Sequence, residues 1–142
     1  MFDGRYVYFV PTTQLVSWVM RYDTTAAFED ATSWTSFDTT SIAGRPTGFF
    51  GGAFDGRYLY LVPSNDGAPT SVMLRYDTTG VFDKTPAWTA FDLATLNPAA
   101  KGFAGAAFDG RNIYLVPHEG SVVARFEART FAALPPVSPQ AF

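Results

Sequence analysis

Apolar residues gather along this chain in short, almost unbroken runs set between turn residues. Val7-Tyr8-Phe9-Val10, Leu59-Tyr60-Leu61-Val62 and Ile113-Tyr114-Leu115-Val116 are the clearest of them. Each run follows an Asp-Gly-Arg and stops at a proline. Phe2-Asp3-Gly4-Arg5-Tyr6 leads to Pro11, Phe54-Asp55-Gly56-Arg57-Tyr58 to Pro63, and Phe108-Asp109-Gly110-Arg111-Asn112 to Pro117. An Asp-Gly pair suits the positive φ angles of a tight hairpin, and the β-branched and aromatic run behind it predicts a strand. The chain reads as one small β unit written three times.

Other positions keep the same spacing. Phe2 to Phe54 is 52 residues and Phe54 to Phe108 is 54. Arg21-Tyr22-Asp23 recurs as Arg75-Tyr76-Asp77 and, more loosely, as Arg125-Phe126-Glu127, while Trp34 and Trp88 each follow the arginine of their unit by 13 residues. Gly48-Phe49-Phe50-Gly51-Gly52-Ala53 recurs as Gly102-Phe103-Ala104-Gly105-Ala106-Ala107. Each full unit is therefore expected to hold four strands. Strand A is the Gly/Ala-rich piece, B follows the Asp-Gly turn, C ends in Arg-Tyr-Asp, and D surrounds the Trp and the next Phe-Asp (Phe37-Asp38, Phe91-Asp92). Residues 1–142 form a single repeat domain: unit one at 1–47, unit two at 48–101 and unit three at 102–142. Met1 abuts the first copy, so unit one is expected to lack its first strand. Unit three has no tryptophan and closes through Pro135, Pro136 and Pro139, so its last strand should be short or irregular.

Strands B and C do not alternate apolar with polar; Trp18-Val19-Met20 and Val72-Met73-Leu74 are as apolar as the B runs. Such strands are buried on both faces, as when one sheet is sandwiched between two like itself. Strand A carries small side chains, as an innermost strand crowding an axis would. Both features point to an all-β fold, a β-propeller of four-stranded antiparallel blades with three repeats per chain. A β-trefoil is the alternative, threefold and of similar length, but it expects one solvated face per strand.

The unit resembles a kelch-type repeat of a bacterial β-propeller. The similarity runs through Phe54-Asp55-Gly56-Arg57-Tyr58-Leu59-Tyr60, through Tyr22-Asp23 and Tyr76-Asp77, and through Trp34 and Trp88. It departs after strand B, where the kelch pattern has paired glycines and this chain has Val-Pro. The resemblance implies a propeller serving as a scaffold or protein-interaction module, and it carries over no catalytic residue. Propellers close with roughly four to eight blades. Three wedges leave a gap, and an open array would leave apolar blade faces in water. Two copies closing a six-bladed ring with twofold symmetry is the expected solution, with residues 139–142 supplying the missing strand of unit one across the junction.

Composition bounds the partners. Hydrophobic residues are 47%, aromatics 17% and charged residues only 16% of the chain, too apolar for disorder and aromatic enough to expect part of the surface to lie against another chain. A net charge of −3 argues against a phosphate-binding groove and so against nucleic acid. The lack of cysteine excludes disulfides, zinc-thiolate sites and thiol nucleophiles. No apolar run approaches a membrane span and no signal-peptide pattern is present, so no membrane partner is expected and no compartment is assigned.

Variation between units is concentrated in the B–C connection: Pro11 to Arg21 is 10 residues, Pro63 to Arg75 is 12, and Pro117 to Arg125 is 8. Loops that vary on a repeated scaffold are where binding is commonly placed. Asn65, Asp66, His118 and Glu119 are therefore candidate ligand contacts, and Thr12-Thr13-Gln14 forms the matching loop of unit one. Trp34 and Trp88 could stack on a sugar ring, although matched positions in two units also suit packing. Asp3-Gly4, Asp55-Gly56 and Asp109-Gly110 read as structural turns. Arg21/Asp23, Arg75/Asp77 and Arg125/Glu127 stand two apart on one strand face and are expected to tie strands or neighbouring blades together. Glu29, Asp30 and Asp83 lack the spacing of an EF-hand calcium loop, and His118, the only histidine, lacks evident partners for a metal cage or a triad. No cofactor, metal or catalytic residue is expected. The functional expectation is a non-catalytic scaffold or binding module that self-associates and binds a protein through its loop face. The alternatives are a lectin-like carbohydrate binder and, last, part of a propeller hydrolase.

Overall fold

The computed structural model of the chain describes residues 1–12 and 17–128, and beyond them the backbone pairing of Gln140–Ala141. The strands fall into three antiparallel sheets. The first contains β1 (Tyr6–Phe9), β2 (Trp18–Asp23) and β3 (Trp34–Asp38). The second contains β4 (Phe49–Phe54), β5 (Tyr58–Pro63), β6 (Val72–Asp77) and β7 (Trp88–Asp92). The third contains β8 (Phe103–Phe108), β9 (Asn112–Pro117) and β10 (Val122–Glu127), edged by the two-residue β11 (Gln140–Ala141). Strands neighbour one another in chain order, so each sheet is a meander of hairpins. The protein is all-β; helix among the described residues is confined to short 3-10 turns, none able to cross a membrane. No barrel closes among these strands, which is the feature a trefoil is built around.

Turn chemistry sets the strand ends. Gly4, Gly56 and Gly110 take φ of +105°, +99° and +96°, a region glycine enters without steric cost, and each reverses the chain into strand B. Unit one retains a stub of strand A: Phe2 bridges Val7, the Tyr8 N–H donates to the Met1 carbonyl at 2.8 Å, and the Met1 amino group donates to the Tyr8 carbonyl at 3.0 Å. This repeats the register of Phe54 with Leu59 and of Ala53 with Tyr60 in the second sheet. At the far end Ala141 and Gln140 pair with Val122 and Val123, so this segment edges its own unit, where a supply to unit one of another copy was expected. The free edge of β10 is close along the chain, and short-range closure costs less entropy. Pro139 and Phe142 lie outside the described residues.

The middle sheet is covered on both sides. On one face Leu59, Leu61, Leu74, Tyr76, Phe82 and Trp88 form a core with Tyr8, Val19 and Phe37 of unit one. On the other, Tyr60, Val62 and Met73 form a core with Phe103, Ile113, Leu115 and Phe126 of unit three. Successive residues of a strand point to opposite faces, so 59–62 has no position left for a polar side chain. Small residues allow the close approach where units converge: β4 packs beside β8, and a Cβ at Gly52 would collide with the Tyr60 carbonyl and the Met1 side chain. Among the described residues the outer sheets are covered on one face only. Phe82 is 1% exposed and the equivalent Phe28 is 58%; Val62 is 0% exposed and the equivalent Val116 is 48%.

Candidate functional site

The repeated polar residues collect at the turn end of the sheets. Asp55 Oδ1 accepts the backbone N–H groups of Arg57 (2.8 Å) and Tyr58 (2.6 Å), and its Oδ2 accepts the Tyr60 hydroxyl (2.8 Å). Asp3 makes the same three bonds to Arg5, Tyr6 and Tyr8, and Asp109 makes them to Arg111, Asn112 and Tyr114. Burial pushes the Asp3 carboxyl up, but the Tyr8 hydroxyl and the amides of Tyr6 and Arg5 outweigh it and hold it below its ordinary value. The amides of Asn112 and Arg111, then the Tyr114 hydroxyl, hold Asp109 lower still. Burial, and then the bond to an aspartate, push the Tyr8 and Tyr60 hydroxyls far above their ordinary value. These are the marks of a fastened turn.

The carboxylates at the ends of strand C bind the turn arginines. Arg5 Nη2 lies 2.6 Å from Asp23, Arg57 Nη2 lies 2.7 Å from Asp77, and Arg111 Nε lies 2.9 Å from Glu127. The expected Arg21/Asp23 pair is therefore divided between two jobs. Asp23 stands opposite Tyr6, next to Arg5, whereas residues two apart on a strand are about 7 Å apart. Arg21 instead lies over two rings, 4.1 Å from the Tyr6 centroid and 4.6 Å from that of Phe82 in the next unit. Arg75 likewise lies over Tyr58 at 4.5 Å. In unit one, Asp23 ties neighbouring strands and Arg21 reaches the next unit. The turn arginines Arg5, Arg57 and Arg111 were the residues missed, and their presence in all three Asp-Gly-Arg copies was the signal. The Arg57 hydrogen bond, against some burial, holds Asp77 down to about 2; Arg5 and Thr25 hold Asp23 well below the carboxylate range.

Both candidate tryptophans sit at this same end and pack. Trp88 stacks on Phe37 of unit one at 4.4 Å and 5° and on Tyr76 at 4.8 Å, and its Nε1 donates to the Phe82 carbonyl at 2.8 Å. At 6% exposure it offers no ring face to a ligand. Trp34 makes the same local bond, Nε1 to the Phe28 carbonyl at 2.9 Å, but is only half-buried. Of the acids considered for calcium, Asp30 caps Thr32 and Asp83 pairs with Lys84.

Asn65, Asp66, His118 and Glu119 come together at the opposite, loop end. Asn65 Nδ2 donates to Glu119 Oε1 at 2.8 Å, joining the loops of units two and three, and Asp66 Oδ2 accepts the Thr47 hydroxyl at 3.2 Å. The loops are pinned alike: the N–H groups of Ser64 and Asn65 donate to the Gly48 carbonyl, those of His118 and Glu119 to the Gly102 carbonyl. Gly48 has φ +69° and no room for a Cβ beside the Asn65 carbonyl. His118 and Glu119 are exposed. Thr13 and Gln14 lie outside the described residues. The loop end is thus a rim of hydrogen-bonding groups on a fixed backbone, suited to a polar contact. Compared with family models and with curated proteins, the sequence matches none.

Proposed function

We propose that the chain is a three-bladed array of a kelch-like β-propeller that pairs with a second copy into a six-bladed ring, a non-catalytic scaffold that binds a protein through its loop end. One observation carries this reading: the middle sheet is buried on both faces, while the matching residues of the outer sheets, Phe28 and Val116, stand exposed. Covering a large apolar side chain is worth roughly 1.5–3 kcal/mol, so an uncovered array of this composition favours a partner. In such a ring Asn65, Asp66, His118 and Glu119 fall on one rim, where loops of a rigid scaffold commonly bind. Light scattering across a micromolar concentration range tests the reading. A particle of twice the chain mass is expected, and a single-chain mass throughout would sink it.

The carbohydrate reading has one observation in its favour, the half-buried Trp34 ring beside the exposed Phe28. A glycan-array signal from a single-chain particle, lost in Trp34→Ala, would favour it over the ring.

A further inference from the structure

The two uncovered faces are of different kinds. Inside the chain one junction forms twice: Tyr8 of unit one packs on Tyr76 of unit two with ring centroids 6.0 Å apart, and Tyr60 of unit two packs on Phe126 of unit three at 5.5 Å. Tyr8, Tyr60 and Tyr114 are equivalent positions, as are Tyr22, Tyr76 and Phe126. Both junctions therefore set the strand B tyrosine of one unit on the strand C aromatic of the next. The two halves of a third junction are left over, Tyr114 on the free face of unit three and Tyr22 on the free face of unit one.

Their surroundings match as well. Tyr76 holds Phe82 at 5.3 Å and Trp88 at 4.8 Å; Tyr22 holds Phe28 at 5.2 Å and Trp34 at 4.9 Å. The aromatic triad of unit one is already built. What it lacks is the cover that unit two receives from Tyr8, 5.8 Å from Phe82, and from the Arg21 guanidinium over the same ring. Unit three presents the equivalents of both, Tyr114 and the exposed Arg125.

We propose that two copies join head to tail, unit three of one docking on unit one of the other, with Tyr114 on Tyr22 and Arg125 over Phe28. This rests on the ring reading above. Like faces meeting, unit one on unit one, would bring two aromatic triads together and leave Arg125 of both copies off the Phe28 rings that favour a cation. Head-to-tail docking instead covers each face with the residues that cover its counterpart inside the chain. Two copies share two such junctions, related by a twofold axis.

The test uses Phe28→Asp on the first face and Val116→Asp on the third. Both positions are largely exposed in the single chain, and circular dichroism checks that the variants fold. A carboxylate buried in an apolar junction disables it, so each variant alone should raise the dimer dissociation constant about tenfold or more. Mixing the two variants should yield a mixed dimer, resolved by native mass spectrometry, because one junction then joins two unaltered faces. Loss of association with Phe28→Asp but not Val116→Asp, or a mixture that recovers nothing, overturns head-to-tail docking while leaving self-association standing. A wild-type chain that never dimerises overturns both. Met20→Asp and Arg125→Glu repeat the pair at other exposed positions should a first variant unfold.

Discussion

Asp55 shows how much one side chain can hold. It is 7% exposed, it fastens two turn amides, and it accepts from the hydroxyl of the fully buried Tyr60, whose other acceptor is the Ala128 carbonyl at 3.3 Å. Asp55→Ala is expected to destabilise by about 1–3 kcal/mol, the cost of leaving buried donors unpaired; Asp109→Ala, at an exposed turn, should cost less. Urea unfolding of the two variants measures the difference. The Arg57–Asp77 pair makes stability depend on acid. Asp77 has its folded value held at about 2 against an ordinary 3.8, so the folded chain binds fewer protons there than the unfolded one. Its contribution is complete above about pH 4 and is lost as pH falls through the folded value. The stability gap between wild type and Asp77→Asn should therefore narrow from pH 5 towards pH 2, and a gap unchanged over that range would remove the pair from the account.

At the scale of the strand, equivalent residues differ by what covers them. Trp88 and Trp34 have the same neighbours in their own units, but only Trp88 has Phe37 stacked on it. Trp88→Ala should cost roughly 3–5 kcal/mol, as for large aromatic truncations in cores. Trp34→Ala should cost clearly less in the single chain. Equal losses in thermal or denaturant unfolding at low protein concentration would contradict the difference in burial. The start of strand A is equally constrained, because the Gly48 carbonyl receives two loop amides. Gly48→Ala should destabilise the loop end through its positive φ and the lack of room at its Cβ.

For the whole molecule, the sheet in the middle should be the slowest to open. Amides of β5, buried on both faces, are expected to exchange more slowly than those of β1 and β9 in dilute protein, since opening free energy follows buried contacts. If two copies dock as proposed, raising the protein concentration should slow β1 and β9 selectively. Exchange that is uniform across the three sheets, or insensitive to concentration, would count against both the stacking and the docking.

Turns and strands were legible in the sequence because they are short-range. Asp-Gly-Arg fixes a reversal through bonds to the next few amides, and an unalternating run such as Leu59-Tyr60-Leu61-Val62 marks a strand with apolar side chains on both faces. The threefold period, the four-strand unit and the short last strand follow from the same local signals, whereas the stub of strand A at Met1 and Phe2 stands where the sequence predicts no strand. What tertiary structure alone decided is which of two identical patterns is buried. Phe28 and Phe82, Trp34 and Trp88, Tyr114 and Tyr60 carry the same local signal, and only the presence or absence of a neighbouring sheet separates them. The partner of Asp23, the bond from Asn65 to Glu119 and the place of Gln140–Ala141 were decided in the same way, because strand register and sheet stacking bring together residues that chain spacing keeps apart.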